Sequence, residues 1–297
     1  MKSLYEGTGV AIVTPFKFGE VDYESFEKII NKDIRQGAKA IIVLGTTGEG
    51  VSVNAKEREE IIKFARDVIS SRAQLIVGTG NNNFITCQEN TMMAKELGAD
   101  GVLVVTPYYN KTTQSGLVEY YTQLNKIGIP IIMYNVPSRT GLNIETETVE
   151  KLTSLDMIYG LKESTCDINR IVELSKICND KIALYSGEDA LNFVFYCLGA
   201  QGSISVTANV MPAKVEEVYQ LVKCGEIEKA KKLQYELDEI NDAMFLETNP
   251  IPVKTFMHHM GLISDEVRMP LVKPNDRTLL LIVRLTDRLK ENRSIII

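Results

Sequence analysis

The chain has 297 residues, of which 44% are hydrophobic and 24% are charged, as in an ordinary globular protein. One β/α barrel typically takes about 250 residues, so this length accommodates such a barrel and a tail of helices. The formal net charge of −6 excludes a general electrostatic attraction for nucleic acid or anionic membranes, and we therefore expect neither as a partner.

Eight short apolar runs recur along the chain at the spacing of βα units in a parallel sheet. Most of the runs are continuous and rich in β-branched residues, as expected of strands that are covered on both faces. A Gly-Ala step precedes three of them, at Gly37, Gly98 and Gly199, where a glycine can end a helix directly before a strand. The predicted strands cover residues 10–13, 40–44, 75–77, 101–105, 129–134, 157–162, 182–186 and 203–206.

Segments with a helical period lie between these runs. In residues 55–70, for example, Ile61 and Ala65 belong to an apolar face, and the charged residues occupy the other face. Asn54 and Thr86 are the predicted N-caps of the helices that follow them. Strand and helix patterns that alternate in this way indicate an α/β fold.

After the eighth run, residues 212–297 are helical in pattern, with interruptions at 248–252 and 269–274. We predict a (β/α)8 TIM barrel over residues 1–211 and a C-terminal helical extension over residues 212–297 that packs on the barrel. An open, doubly wound sheet is the competing architecture. It fits less well because the chain lacks the glycine-rich dinucleotide fingerprint.

The active site of a β/α barrel is built from the carboxyl ends of its strands, and Lys162 ends the sixth predicted strand. Burial at that position disfavours the ammonium form and favours the neutral amine that attacks a carbonyl. The sequence therefore predicts a Schiff-base lysine that acts on a small 2-oxo acid. A lysine that forms a salt bridge with Glu163 or another carboxylate near the barrel rim is the structural alternative.

Four further candidates follow the second and fifth strands. Tyr134 ends the fifth strand, where a phenol can shuttle the protons that imine formation requires, although a core tyrosine would occupy the same place. Thr46 and Thr47 could face a ligand carboxylate, but loop threonines are more often local caps. Arg139 could hold a second carboxylate, although most loop arginines are solvated. The case for each residue rests on its location at the same end of the barrel.

The sequence predicts no metal site and no cofactor. His258 and His259 are the only histidines, and the five cysteines form no CxxC spacing, so neither a zinc cluster nor a disulfide framework is indicated. The first nine residues lack the apolar segment of a signal peptide, and no apolar run has the length of a membrane span. We expect a cytoplasmic protein.

Two motifs resemble the signatures of a known family, the dihydrodipicolinate synthase family. They are Gly45-Thr46-Thr47-Gly48-Glu49 and the span from Tyr134-Asn135-Val136-Pro137 to Leu161-Lys162-Glu163-Ser164. The family belongs to a superfamily of pyruvate-dependent aldolases and lyases that includes N-acetylneuraminate lyase. The resemblance covers essentially the whole chain, and it implies a barrel enzyme that forms an imine with pyruvate.

This resemblance implies a catalytic set. Lys162 would be the Schiff-base lysine, Tyr134 the proton donor and acceptor, and Thr46 with Tyr109 the remainder of a proton relay. Family members place the relay tyrosine across a tight dimer interface. Tyr109 would therefore serve the neighbouring subunit, Tyr108 would pack at that interface, and the assembly would be a homotetramer made of two tight dimers.

The resemblance also implies the substrates. Thr47 and the backbone at Ile204 would bind pyruvate, and Gly187 would line the pocket. In the synthases an arginine in the loop of Arg139 is associated with the carboxylate of L-aspartate 4-semialdehyde, which condenses with pyruvate in lysine and diaminopimelate biosynthesis. A sugar-acid aldolase or lyase of the same superfamily is the nearest alternative, and a non-catalytic barrel that binds a 2-oxo acid is a more distant one.

One departure from the family concerns regulation. Family members that lysine inhibits often have a glutamate at the position of Thr86 and a histidine near Ala55 and Arg58. Without that carboxylate, a cationic effector loses a charge-assisted partner. We predict that lysine inhibits this chain weakly or not at all.

Overall fold

The computed structural model describes residues 1–291. Eight parallel strands close into a barrel, in which each strand pairs with the next and the eighth pairs with the first. The predicted (β/α)8 barrel is therefore confirmed. The strands are β1 (Gly7–Ala11), β2 (Ala40–Val43), β3 (Gln74–Gly78), β4 (Gly101–Val105), β5 (Ile131–Asn135), β6 (Ile158–Glu163), β7 (Ala183–Ser186) and β8 (Gly202–Ser205).

Helices follow the strands and form the outer layer, and a small antiparallel hairpin, Phe16–Lys17 with Glu20–Val21, follows β1. Single 3-10 turns cover Asp189–Leu191 and Thr207–Asn209. The helices are α1 (Tyr23–Arg35), α2 (Ala55–Ile69), α3 (Phe84–Glu96), α4 (Gln114–Asn125), α5 (Pro137–Thr140), α6 (Thr146–Leu152), α7 (Ile168–Cys178), α8 (Asn192–Cys197), α9 (Pro212–Lys223), α10 (Ile227–Ala243), α11 (Ile251–His259) and α12 (Asp276–Glu291).

One of the two predicted N-caps is confirmed. The Asn54 side chain accepts the Glu57 N–H at 3.0 Å, and the Glu57 carboxylate accepts the Asn54 N–H at 3.0 Å, which completes a capping box. The prediction for Thr86 is wrong because α3 begins earlier. The Asn83 side chain accepts the N–H groups of Ile85 and Thr86, so it satisfies donors that a cap at Thr86 would leave unpaired.

Seven of the predicted strands match those of the barrel to within two residues at each end, and the first differs more. β1 starts at Gly7, three residues before the predicted run at 10–13. Its first residues pair with β8, Gly7 with Gly202 and Thr8 with Ser203. Glycine, serine and threonine do not contribute to an apolar pattern, so the sequence could not reveal this part of the strand.

The register of β6 determines what faces the barrel interior. Lys162 pairs with Tyr134 on β5 and with Tyr185 on β7, and both tyrosines belong to the interior cluster. Side chains alternate between the two faces of a strand. Leu161 accordingly packs in the outer core between strands and helices, and Lys162 points inward.

The chain after β8 returns to the barrel. α9 packs against β1, where the buried Glu216 carboxylate accepts the Thr8 N–H at 2.7 Å, so α9 takes the place of an eighth barrel helix. The division of the chain at residue 211 stays a prediction, and residues 292–297 of the predicted extension lie outside the described residues. No helix within residues 1–291 has the length and apolar character to cross a membrane.

Candidate active site

Lys162 lies at the carboxyl end of β6 with its amine inside the barrel. The residue is 5% exposed, and its Nζ is 4.3 Å from the centre of the Tyr134 ring. Among residues 1–291, no carboxylate forms a salt bridge with this amine. A buried amine that no carboxylate neutralises is suited to nucleophilic attack on a carbonyl.

Glu163 faces the opposite side of β6. Its fully buried carboxylate accepts hydrogen bonds from Arg170 Nη2 at 2.8 Å and from Asn135 Nδ2 at 2.9 Å. Burial raises the pKa of Glu163, and Arg170 and Asn135 oppose that rise. The structural alternative, in which Lys162 pairs with Glu163, is therefore wrong.

A cavity of about 420 Å³ opens at the carboxyl ends of the strands, with Lys162 in its wall. Ile204 is buried on β8 and packs in the barrel interior with Tyr134, so its side chain belongs to the core beneath the cavity. The predicted residues that the structure brings together around the cavity are Thr46, Thr47, Tyr134, Arg139, Lys162 and Gly187.

The loop after β2 presents its two threonines differently. Thr47 is 3% exposed, and its Oγ1 accepts a hydrogen bond from Asn249 Nδ2 at 2.9 Å. Thr46 is exposed, and its carbonyl accepts the Glu49 N–H at 3.1 Å in a tight turn. Thr46 thus stands at the cavity rim with a free side chain, while the C-terminal extension holds Thr47.

A buried ion pair joins the same loop to α11. The Lys254 amine contacts the Glu49 carboxylate, donates to the Glu266 carbonyl at 3.0 Å and lies 4.2 Å from the centre of the Phe16 ring. Burial lowers the pKa of Lys254 to about 8, and Glu49 opposes that change. Because Glu49 follows Thr47 by two residues, the pair fixes the loop relative to the extension.

Arg139 is exposed at the mouth of the cavity, in the short helix α5. Its Nη2 donates to the Asn249 carbonyl at 3.3 Å, and the guanidinium has further N–H donors for a ligand. Asn249 therefore connects Arg139 with Thr47. Sequence reasoning gave Asn249 no role of its own, because its partners are 110 and 202 residues away along the chain. The break in helical pattern at 248–252 was the signal at this position.

Gly187 approaches Lys162 closely. A Cβ atom at this position would lie 2.8 Å from Lys162 Cε and 2.3 Å from Ser164 Oγ. Both separations are well below the 3.5 to 4 Å or so of ordinary contact between carbon atoms. Glycine at position 187 thus leaves the space that the Lys162 side chain occupies.

The two tyrosines after β4 do not line this cavity. Tyr109 is 91% exposed and has φ of +68°, a left-handed conformation that is uncommon for residues other than glycine. Tyr108 is partly buried and lines a second cavity. A contribution of Tyr109 to the site of another subunit stays a prediction.

The second cavity, of about 430 Å³, adjoins the first and includes the positions on which the prediction about lysine inhibition rests. Ala55, Arg58 and Thr86 lie in its wall. The Arg58 guanidinium donates to the carbonyl groups of Gly50 at 2.7 Å and Gly78 at 3.0 Å. Arg58 brings a positive charge to this wall, and the prediction of weak or absent lysine inhibition stands untested.

No set of three histidine, cysteine, aspartate or glutamate side chains within residues 1–291 could hold a metal ion. The five cysteines are unpaired, with Cys87 and Cys178 buried and the other three exposed. The side chains that line the cavity around Lys162 include an amine, a phenol, hydroxyls, a guanidinium and two carboxylates.

Known proteins resemble this chain over nearly its whole length. A sequence model of the Dihydrodipicolinate synthetase family matches residues 5–285. A curated 4-hydroxy-tetrahydrodipicolinate synthase from Thermodesulfovibrio yellowstonii is 45% identical over 269 residues, which are 90% of this chain and 92% of that protein.

Two solved structures have the same fold. The chloride-inhibited dihydrodipicolinate synthase from Acinetobacter baumannii, complexed with pyruvate, has a TM-score of 0.93 and 40% identity, and the match covers 96% of this chain and 98% of that one. A monomeric dihydrodipicolinate synthase variant has a TM-score of 0.94 and 39% identity, with 98% and 97% covered. The resemblance seen in the sequence motifs is confirmed, and this chain belongs to the dihydrodipicolinate synthetase family.

Proposed function

We propose that this chain is a lyase that condenses pyruvate with L-aspartate 4-semialdehyde through a Schiff base on Lys162. The product would be 4-hydroxy-tetrahydrodipicolinate, an intermediate of lysine and diaminopimelate biosynthesis. The observation that carries this proposal is the buried Lys162 amine, which lies over the Tyr134 ring in the wall of the cavity. The relative named 4-hydroxy-tetrahydrodipicolinate synthase and the pyruvate complex of the other relative support it.

Imine formation uses the amine and the phenol together. Lys162 Nζ attacks the keto carbon of pyruvate and forms a carbinolamine. Tyr134 delivers the proton with which the hydroxyl group leaves as water, and an imine remains. Thr46 and the Tyr109 hydroxyl of a neighbouring subunit would connect Tyr134 to solvent, while Thr47 and the backbone at Ile204 would hold the pyruvate carboxylate.

Carbon–carbon bond formation follows from the imine. Loss of a methyl proton gives an enamine, whose carbon attacks the aldehyde carbon, and the aldehyde oxygen takes up a proton. The amino group of the second substrate then attacks the imine carbon, and the bond to Lys162 breaks to release the free amine. Arg139, at the cavity mouth with N–H donors to spare, would bind the carboxylate of this second substrate.

We further propose a homotetramer built from two tight dimers, located in the cytoplasm. The exposed Tyr109 supports self-association, since a tyrosine that is 91% exposed lies ready for contact with another subunit. One relative of the same fold is a monomeric variant. The number of subunits must therefore be measured for this chain, for example by sedimentation velocity.

Borohydride reduction in the presence of pyruvate tests the central step. We expect an adduct of one pyruvate per subunit that mass spectrometry of peptides locates at Lys162, and no adduct in the Lys162→Ala variant. An adduct elsewhere, or none in the wild-type protein, would overturn the proposal. Turnover of aspartate semialdehyde, compared with sialic acid and 2-keto-3-deoxygluconate, separates the synthase from sugar-acid lyases.

A further inference from the structure

The cavity around Lys162 contains one more kind of charge than the proposed steps use. Besides the Lys162 amine and the Arg139 guanidinium, its wall includes two carboxylates, those of Glu188 and Glu247. An aldehyde that carries both a carboxylate and an ammonium group would bind Arg139 through its carboxylate. The second group then needs an anionic partner, since a charge taken from water is costly unless it is paired.

Most carboxylates near the cavity already have partners. Asp189 accepts the N–H groups of Val206 and Thr207, both at 2.9 Å. Glu247 accepts two hydrogen bonds from Asn275, at 2.9 and 2.8 Å. The carboxylates of Asp189 and Glu247 therefore already accept hydrogen bonds from other parts of the protein.

Glu188 lies in the wall of the cavity itself, next to Gly187. Its backbone is fixed, because Ser186 Oγ accepts the Glu188 N–H at 3.3 Å and donates to the Glu188 carbonyl at 3.0 Å. Its carboxylate interacts with the Ala190 N–H and has the Cys166 thiol at 3.9 Å, and it forms no salt bridge with any cationic side chain of residues 1–291. A half-buried carboxylate is thus held in the cavity wall without a counter-ion.

The electrostatics of this position favour an incoming cation. Burial raises the pKa of Glu188, and the charge of Asp189 raises it further, while a hydrogen bond from the Ala190 N–H and the Lys162 amine oppose the rise. Once Lys162 carries a substrate, a cation from that substrate can compensate the Glu188 charge. An ammonium group is the cation that an amino aldehyde brings.

We propose that Glu188 binds the ammonium group of the second substrate and thereby selects amino aldehydes over aldehydes that lack the amine. This inference rests on the proposed function, since it concerns the substrate that joins the Lys162 imine. Arg139 and Glu188 would then hold the carboxylate and the ammonium from two sides of the cavity. Glu188 is a specificity-determining residue in this arrangement and takes no part in forming the imine.

The test compares two ligands in the Glu188→Gln variant. For L-aspartate 4-semialdehyde we expect kcat/KM to fall on the order of 10- to 100-fold, the effect of losing a hydrogen bond between charged groups. Succinate semialdehyde lacks the amine, so its inhibition constant as a competing ligand should stay the same. Glu188→Asp, which keeps the carboxylate, should retain more selectivity than Glu188→Gln.

Two controls separate this proposal from others. Borohydride trapping of pyruvate should give the same Lys162 adduct in Glu188→Gln as in wild type, which shows that the variant is folded and forms the imine. If wild type itself forms no adduct, the proposed function fails. If the adduct forms but kcat/KM for the amino aldehyde is unchanged, or if Glu247→Gln lowers it equally, the role of Glu188 is overturned.

Discussion

The side chain of Lys162 limits which residue can occupy position 187 in the cavity wall. The lysine needs space to move from free amine to imine, and that space exists because position 187 has no Cβ. Reacting groups must be held close to the productive geometry, and a displacement of about 1 Å can cost about 100-fold in rate. We therefore expect Gly187 to affect catalysis through the position of Lys162, without supplying a chemical group.

We expect Gly187→Ala to lower kcat by about 100-fold, because the new methyl group would displace Lys162 Cε. Imine trapping by borohydride should slow in parallel, while thermal unfolding shows the barrel still folded. Ser164 Oγ is the other atom that the new methyl group would approach. The double variant Gly187→Ala, Ser164→Ala removes that contact and should remain defective. Recovery of activity in that double variant would show that the clash with Ser164 is the cause instead.

The residues of the site differ in how far the sequence could reveal them. Lys162 could be predicted, because a lysine that ends an apolar strand is a local feature and the barrel rule assigns that end to catalysis. The pairing of Glu163 with Arg170 could not be predicted, because it depends on which face of its strand Glu163 occupies. Asn249 and Glu188 depend on contacts between distant segments or on the surrounding charges, and neither property is visible in a local pattern.

At the scale of elements, the strands were predicted more accurately than the places where helices begin. Continuous apolar runs locate buried strands, whereas several polar residues near a helix start can each serve as the cap. Asn83 and Thr86 illustrate this, because both residue types are favoured at N-caps and the structure uses the first. A helix was therefore predicted correctly in this segment, but its first residue was not.

Helix α1 contains a buried acid, Asp33, beside a buried lysine, Lys32, and the lysine connects this helix through Asn209 to the chain after β1. Asp33 is fully buried, and Lys32 Nζ lies 3.2 Å from one carboxylate oxygen. The same amine donates to the Asn209 carbonyl at 2.6 Å, and the Asn209 side chain accepts the Val13 N–H at 3.0 Å. Burial raises the pKa of Asp33 from 3.8 to about 7, against the opposing effect of Lys32.

This shift predicts how stability depends on pH. Between about pH 4 and pH 7 the folded protein keeps a proton on Asp33 that the unfolded chain, with a pKa of 3.8, has released. The stabilising contribution is thus complete below pH 4 and is lost as the pH rises through 7. Relative to Asp33→Asn, the wild-type free energy of unfolding should fall over this range by up to about 4 kcal/mol.

Urea denaturation of both proteins at a series of pH values measures the difference. Every other titrating group is common to the two chains, so the change in the difference reports Asp33. A constant difference between pH 4 and pH 8 would contradict the pKa assignment. A difference that changes in the opposite direction would mean that Lys32 stabilises the charged carboxylate more than burial destabilises it.

At the scale of the whole molecule, one barrel holds Lys162, Tyr134 and Thr46 around a cavity but leaves Tyr109 outside it. A left-handed backbone at a residue other than glycine costs on the order of 1 kcal/mol, and Tyr109 has this conformation while its side chain meets solvent. Such strain persists where surrounding contacts enforce it or a function uses it. A neighbouring subunit that receives the tyrosine would supply that use.

Subunit complementation tests whether Tyr109 acts between subunits. One subunit type carries Lys162→Ala and the other carries Tyr109→Phe, and each homo-oligomer should have little or no activity. In a hybrid dimer, the site with native Lys162 receives the native Tyr109 of its partner, so that site should work. Random pairing gives hybrids in half of the dimers, and each hybrid has one working site of two, so about a quarter of wild-type activity should return.

Co-expression with two affinity tags would isolate the hybrids. If Tyr109 instead served its own subunit, every site in the hybrid would have one defect, and no activity would return.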